Sequence, residues 1–180
     1  MAKKYIADYT LQEVTDPAGG KSRQVPVYSG PLFRFLLAGK ELTVAKRVFS
    51  LLTILGAVGV AASLMTNAPC ARKWYVMFPL ALSLLPLFLQ GESCFLFWRA
   101  KEPLKREQRD KIEKRTVVTA AFSAFLSAFS LAGHIVFMLY YQESMSDAVY
   151  LLGAADLLIC SLLLIRQREK LKTEEVPYPR

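Results

Sequence analysis

Three ionisable side chains, Glu92, His134 and Asp156, stand inside otherwise apolar stretches of this chain. Carboxylates and imidazoles relay protons, hold cations or ligate metals, and in an apolar layer their solvation cost makes each a candidate for function. His134, the single histidine, continues a polar line at helical spacing, Ser123, Ser127, Ser130, His134. A second line on the same stretch, Ala120, Ala124, Ala128 and Ala132, carries only small side chains, which let helices approach closely. Gly56 and Gly59 mark a further packing surface, with Ala57/Ala61 and Gly59/Ser63 as pairs of small residues four apart.

Depth along the helices limits what these groups can build. At 1.5 Å per residue, His134 lies about 10 Å from a boundary at Tyr141, and Asp156 about 13 Å from one at Asp147. The two helices are joined by a short turn, so a His134–Asp156 hydrogen bond is expected. Glu92 falls about 10 Å deeper by the same count, too far for a three-ligand metal site. Mutual satisfaction of His134 and Asp156 across a helix pair outweighs a proton or ion path, and a metal site ranks last. Glu92 is close enough to its own boundary to reach water or a basic neighbour such as Arg99.

The elements that must hold these groups are four apolar stretches, about 48–66, 74–98, 117–141 and 148–165. Each approaches the roughly 20 residues with which a helix crosses the hydrocarbon layer. Lys and Arg are unevenly spread. Eight precede the first stretch, eight separate the second from the third and five follow the fourth, against two, Arg72 and Lys73, elsewhere. By the positive-inside rule both termini and the middle connection face the cytoplasm. That placement accounts for the formal charge of +8 without a nucleic-acid partner. Trp74, Tyr75, Tyr140, Tyr141 and Tyr150 fall at the outer boundaries, where amphipathic rings are favoured.

The fold class that follows is an all-α integral membrane protein, a four-transmembrane-helix bundle with cytoplasmic N and C termini and a small N-terminal cytoplasmic β-hairpin. Residues 1–30 read as that hairpin, with turn formers at 15–22 between Lys4–Val14 and Arg23–Tyr28. Residues 31–47 read as an interfacial segment and 48–165 as the membrane domain. Within it, 103–116 forms a charged helix supported by Glu102/Arg106, Arg106/Asp110, Glu107/Lys111, Arg109/Glu113 and Asp110/Lys114. Charge and proline make 166–180 a disordered cytoplasmic tail.

Reaction machinery is missing from the motifs. There is no HExxH, no GxSxG and no paired-cysteine spacing around Cys70, Cys94 and Cys160. The expected function is therefore non-enzymatic: a small accessory, scaffold or partner-binding membrane protein without a cofactor. The alternative is a component of a proton- or ion-coupled transporter or channel using His134 and Asp156. The expected partners are the lipid bilayer and another membrane or cytoplasmic protein or a second copy. Compact loops point to a plasma membrane of the bacterial inner-membrane kind.

Overall fold

The computed structural model describes residues 3–14, 23–141 and 145–177. Four helical stretches are long and apolar enough to cross a membrane: Gly39–Met65, Trp74–Arg99, Arg106–Tyr140 and Met145–Leu171. The first is α1 (Gly39–Met65), whose inward residues Ala45, Phe49, Leu52, Gly56, Val60 and Ser63 recur every three or four positions. The second divides at Ser83 into α2 (Trp74–Leu82) and α3 (Leu84–Arg99). Its prolines explain the division, because Pro79 cannot donate to the Tyr75 carbonyl and Pro86 cannot donate to that of Leu82. The third runs from α4 (Arg106–Arg109) through a π turn at Asp110–Lys114 into α5 (Arg115–Tyr140). The fourth is α6 (Met145–Arg166), continued by a 3-10 turn at Gln167–Leu171. Helix α6 lies between α1 and α5, and α5 also covers α2 and α3.

The expected β-hairpin is present, but its first strand is shorter than the expected Lys4–Val14, because Lys3–Asp8 forms a 3-10 turn. Strands β1 (Tyr9–Val14) and β2 (Arg23–Tyr28) pair antiparallel with Tyr9 opposite Tyr28 and Val14 opposite Arg23. The turn expected at 15–22 lies outside the described residues. A two-stranded hairpin is marginal alone, and this one is tied to the start of the third helical stretch. Tyr28 Oη accepts from the Arg106 amide at 2.9 Å, Arg106 lies 3.6 Å from Asp8, and Tyr5 Oη donates to Asp110 at 3.1 Å.

Beyond the hairpin the structure departs from the sequence reading. The segment 31–47 is not one interfacial element. It contains strand β3 (Leu32–Phe35) and the opening turns of α1, which starts at Gly39 rather than 48. The tail is not disordered at 173–176, because β5 (Thr173–Val176) pairs with β3. The charged helix begins at Arg106, preceded by the short strand β4 (Leu104–Lys105) on the other side of β3. The three strands form one sheet in the order β4-β3-β5. Phe33 and Phe35 point into the bundle, Phe35 against Phe97 at 5.1 Å, while Arg34 points out. This sheet caps one end of a core that includes Phe49, Leu104, Ile112, Leu164 and Leu171. A second core, around Val60, Val76, Leu80, Phe137, Tyr150 and Leu157, fills the opposite end.

Three of the five charge pairs form as spaced: Lys111–Glu107 at 2.8 Å, Arg109–Glu113 at 3.2 Å and Lys114–Asp110 at 3.3 Å. The other two are replaced by contacts distant in sequence. Arg106 turns to Asp8, the last residue of the 3-10 turn that leads into the hairpin, and Glu102 binds Arg34 of β3 at 3.0 Å. The same charges that solubilise a helix thus fasten the hairpin and the sheet to it.

Candidate functional site

The polar line of α5 faces inward along its whole length: Ser123, Ser127, Ser130 and His134 are all buried. Its steps of four, three and four residues return close to whole turns of a 3.6-residue helix. The same rhythm continues toward the start of α5 through Thr119 and Thr116, also buried, which extend the polar line beyond its serines and histidine. The alanine line behaves differently. Ala120 and Ala124 are buried, but Ala128 and Ala132 are exposed. Steps of four overshoot a turn by about 40° each, so a line that starts inside drifts out within three steps.

Two hydroxyls of the line, those of Thr119 and Ser127, are satisfied within their own helix. Thr119 donates to the Arg115 carbonyl at 2.9 Å, and Ser127 to the Ser123 carbonyl at 2.9 Å. Ser123 Oγ and Gln90 Oε1 are buried with no partner among the described residues. The hydroxyl that reaches across is Ser130, which donates to the Val76 carbonyl on α2 at 2.8 Å. Tyr150 Oη of α6 donates to the same carbonyl at 2.9 Å and lies 3.3 Å from Ser130 Oγ. His134 stacks on the Tyr150 ring with centroids 6.2 Å apart and planes 12° apart. Three helices therefore meet at one carbonyl. Tyr150 is fully buried here, its ring turned into the bundle. Tyr150→Phe is expected to lower stability by about 1 kcal/mol, read from the detergent fraction at which the helices unfold. Ser130 keeps the carbonyl partnered in that variant.

His134 and Asp156 do not meet. The Tyr150 ring stands at the level of His134, and Asp156 is six residues farther along α6, about 9 Å. Asp156 also lies on the side of α6 that faces α1. A Cβ placed on Gly59 would sit 2.6 Å from Asp156 Oδ2, so the carboxylate occupies the space that this glycine leaves. Its Oδ1 accepts from the Cys160 thiol at 3.6 Å. Glu92 binds Arg115 of α5 at 2.5 Å, not Arg99, whose guanidinium lies over the Phe95 ring at 5.4 Å. Arg115 also donates to the Leu89 carbonyl at 3.0 Å, joining α5 to α3. The candidate residues thus occupy three separate places, and no group of three or more metal-ligating side chains occurs among the described residues.

Gly56 and Gly59 do line a helix contact, that of α1 with α6. Gly56 faces Leu157 and Cys160, and Gly59 faces Gly153 and Asp156. Of the small-residue pairs, Gly59/Ser63 is in this contact, and Ser63 donates to the Tyr150 carbonyl at 3.2 Å. Ala57 and Ala61 are exposed. Gly133, which no spacing in the sequence singles out, lies against the Tyr75 carbonyl that Pro79 leaves without its helical donor.

At the same end, Asp147 in the first turn of α6 is fully buried and accepts the Cys70 amide at 2.9 Å. Burial first, and then the neighbouring Asp147 carboxylate, push the Cys70 thiol from 9.0 to about 12. Burial thus disfavours the thiolate that a nucleophile or metal ligand requires. Grooves of about 280–550 Å³ lie at the sheet-capped end of the helices, and none of these is lined by Ser123, Ser127, Ser130 or His134. No protein-family model, curated protein or solved structure matches the chain.

Proposed function

We propose that this chain is a non-enzymatic membrane protein of the accessory, scaffold or partner-binding kind, with both termini and the β-sheet in the cytoplasm of a bacterial plasma membrane. One observation carries the reading: the bundle is apolar outside and keeps its polar line buried, where none of the grooves described above reaches it. Phe78, Phe88, Phe122, Phe125, Leu139 and Leu152 point outward, as suits lipid, while the serine line is turned in. Interior hydroxyls that bond their own helix, as those of Thr119 and Ser127 do, serve packing rather than passage. The excess of Lys and Arg around the sheet supports a cytoplasmic placement of that end.

Sidedness is tested with single cysteines, since native Cys70, Cys94 and Cys160 are all buried. In intact cells a membrane-impermeant maleimide is expected to label Asn67→Cys and to spare Lys101→Cys until the membrane is opened. Labelling in the reverse order overturns the topology. Proton- or ion-coupled transport is the second reading, favoured by the buried Ser130–Tyr150–His134 cluster beside the proline-broken second stretch. Purified protein in sealed vesicles separates the two. The accessory reading expects no proton or cation flux above empty vesicles. A flux abolished by His134→Ala in folded protein replaces it with transport.

A further inference from the structure

Asp156 sits at mid-height of α6, about 16 Å from either end. It is half-buried, and the Cys160 thiol is its hydrogen-bond donor among the described residues. The carboxylate packs on Gly59 where α1 meets α6, and the residue is not fully covered there. By helical spacing the exposed residues that flank this contact are Leu55 and Ala62 on α1, one turn either side of half-buried Gly59, and Leu152 and Leu163 on α6, one turn before and two turns after Asp156. A charge placed there has apolar neighbours and no cation among the described residues.

We propose that the α1–α6 seam docks a transmembrane helix of another membrane protein, one that carries a lysine or arginine at mid-membrane with Asp156 as its counter-ion. The inference rests on the membrane reading above. A hydrocarbon layer admits a single added segment only as a helix, since its backbone must satisfy itself. Gly59 and Ala62 leave room for that helix to come close. A carboxylate there gains most from a charge-assisted bond, which a Lys or Arg supplies. A second copy supplies none: 48–66, 74–98, 117–141 and 148–165 contain no Lys or Arg, and His134 is buried on α5.

The probe is a single-span leucine–alanine helix with one central lysine, measured by energy transfer against the full chain in phosphatidylcholine nanodiscs. The lysine helix is expected to associate at least about ten-fold more tightly than the same helix with central leucine. The preference is expected to vanish in Asp156→Leu, to weaken in the near-isosteric Asp156→Asn, and to vanish when the lysine is moved two turns toward either end. Equal binding of the two helices overturns the proposal, as does a preference that survives Asp156→Leu. Self-association of the wild type that is lost in Asp156→Leu also overturns it, assigning the seam to a second copy. A chain that inserts and ignores the lysine helix sinks the docking alone, whereas a chain that never enters the nanodisc sinks the membrane reading beneath it.

Discussion

Gly153→Val is expected to destabilise the bundle by about 3 kcal/mol, shifting its unfolding in mixed detergent micelles to a lower fraction of dodecyl sulfate. A Cβ at this position runs into Ser63 Oγ and into the carbonyl of Gly59. The serine can rotate, but the carbonyl belongs to the α1 backbone. Relief therefore requires the two helices to separate along the contact that also holds Gly56 against Leu157. Separation weakens the Ser63 bond to the Tyr150 carbonyl and so reaches the cluster at Val76. Gly91→Ala is the matched control, because nothing lies within 4 Å of a Cβ there. It should gain up to about 1 kcal/mol from helix propensity. If Gly153→Val and wild type unfold at the same detergent fraction, the α1–α6 contact is not as close as described.

The four apolar helices are legible because length and hydrophobicity are local properties. Inward direction is legible where the spacing averages the helical repeat, as from Ser123 to His134, and misleads where it does not, as from Ala124 to Ala132. The failed His134–Asp156 pairing shows the limit of counting from presumed boundaries. His134 stands level with Tyr150, only three residues after Asp147, so Tyr141 and Asp147 do not lie at one height. Depth alone also says nothing of which neighbour a residue faces, and Asp156 faces α1. The tail at 173–176 misleads for a different reason. Its charge and proline content are those of a disordered segment, and the pairing that orders it comes from β3, far away in sequence. The alternation of Leu32-Phe33-Arg34-Phe35 is a local signal for that strand, and the apolar character of the run outweighs it.

Asp147→Ala is the second large effect, expected at about 3 kcal/mol in the same unfolding measurement. The carboxylate has two duties in one buried place. It accepts the Cys70 amide, whose loss leaves a buried donor unpaired at about 1–3 kcal/mol. It also stands in the first turn of α6, where a negative charge complements the positive end of the helix dipole by about 0.3–1 kcal/mol. Asp147→Asn keeps an acceptor oxygen and loses the charge, so it should fall between alanine and wild type. The thiol supplies an independent readout. With the carboxylate gone, Cys70 should titrate below about 12, yet still above its ordinary 9.0, because burial is the larger cause. The folded wild type holds this proton more tightly than the unfolded chain does. Its contribution to stability is therefore complete below pH 9 and is lost as the pH rises toward about 12. The S–H stretch of Cys70, followed by Raman scattering against pH with Cys94 and Cys160 replaced by serine, should thus disappear at lower pH in Asp147→Asn than in wild type. Identical profiles in the two proteins would show that Asp147 does not act on the thiol.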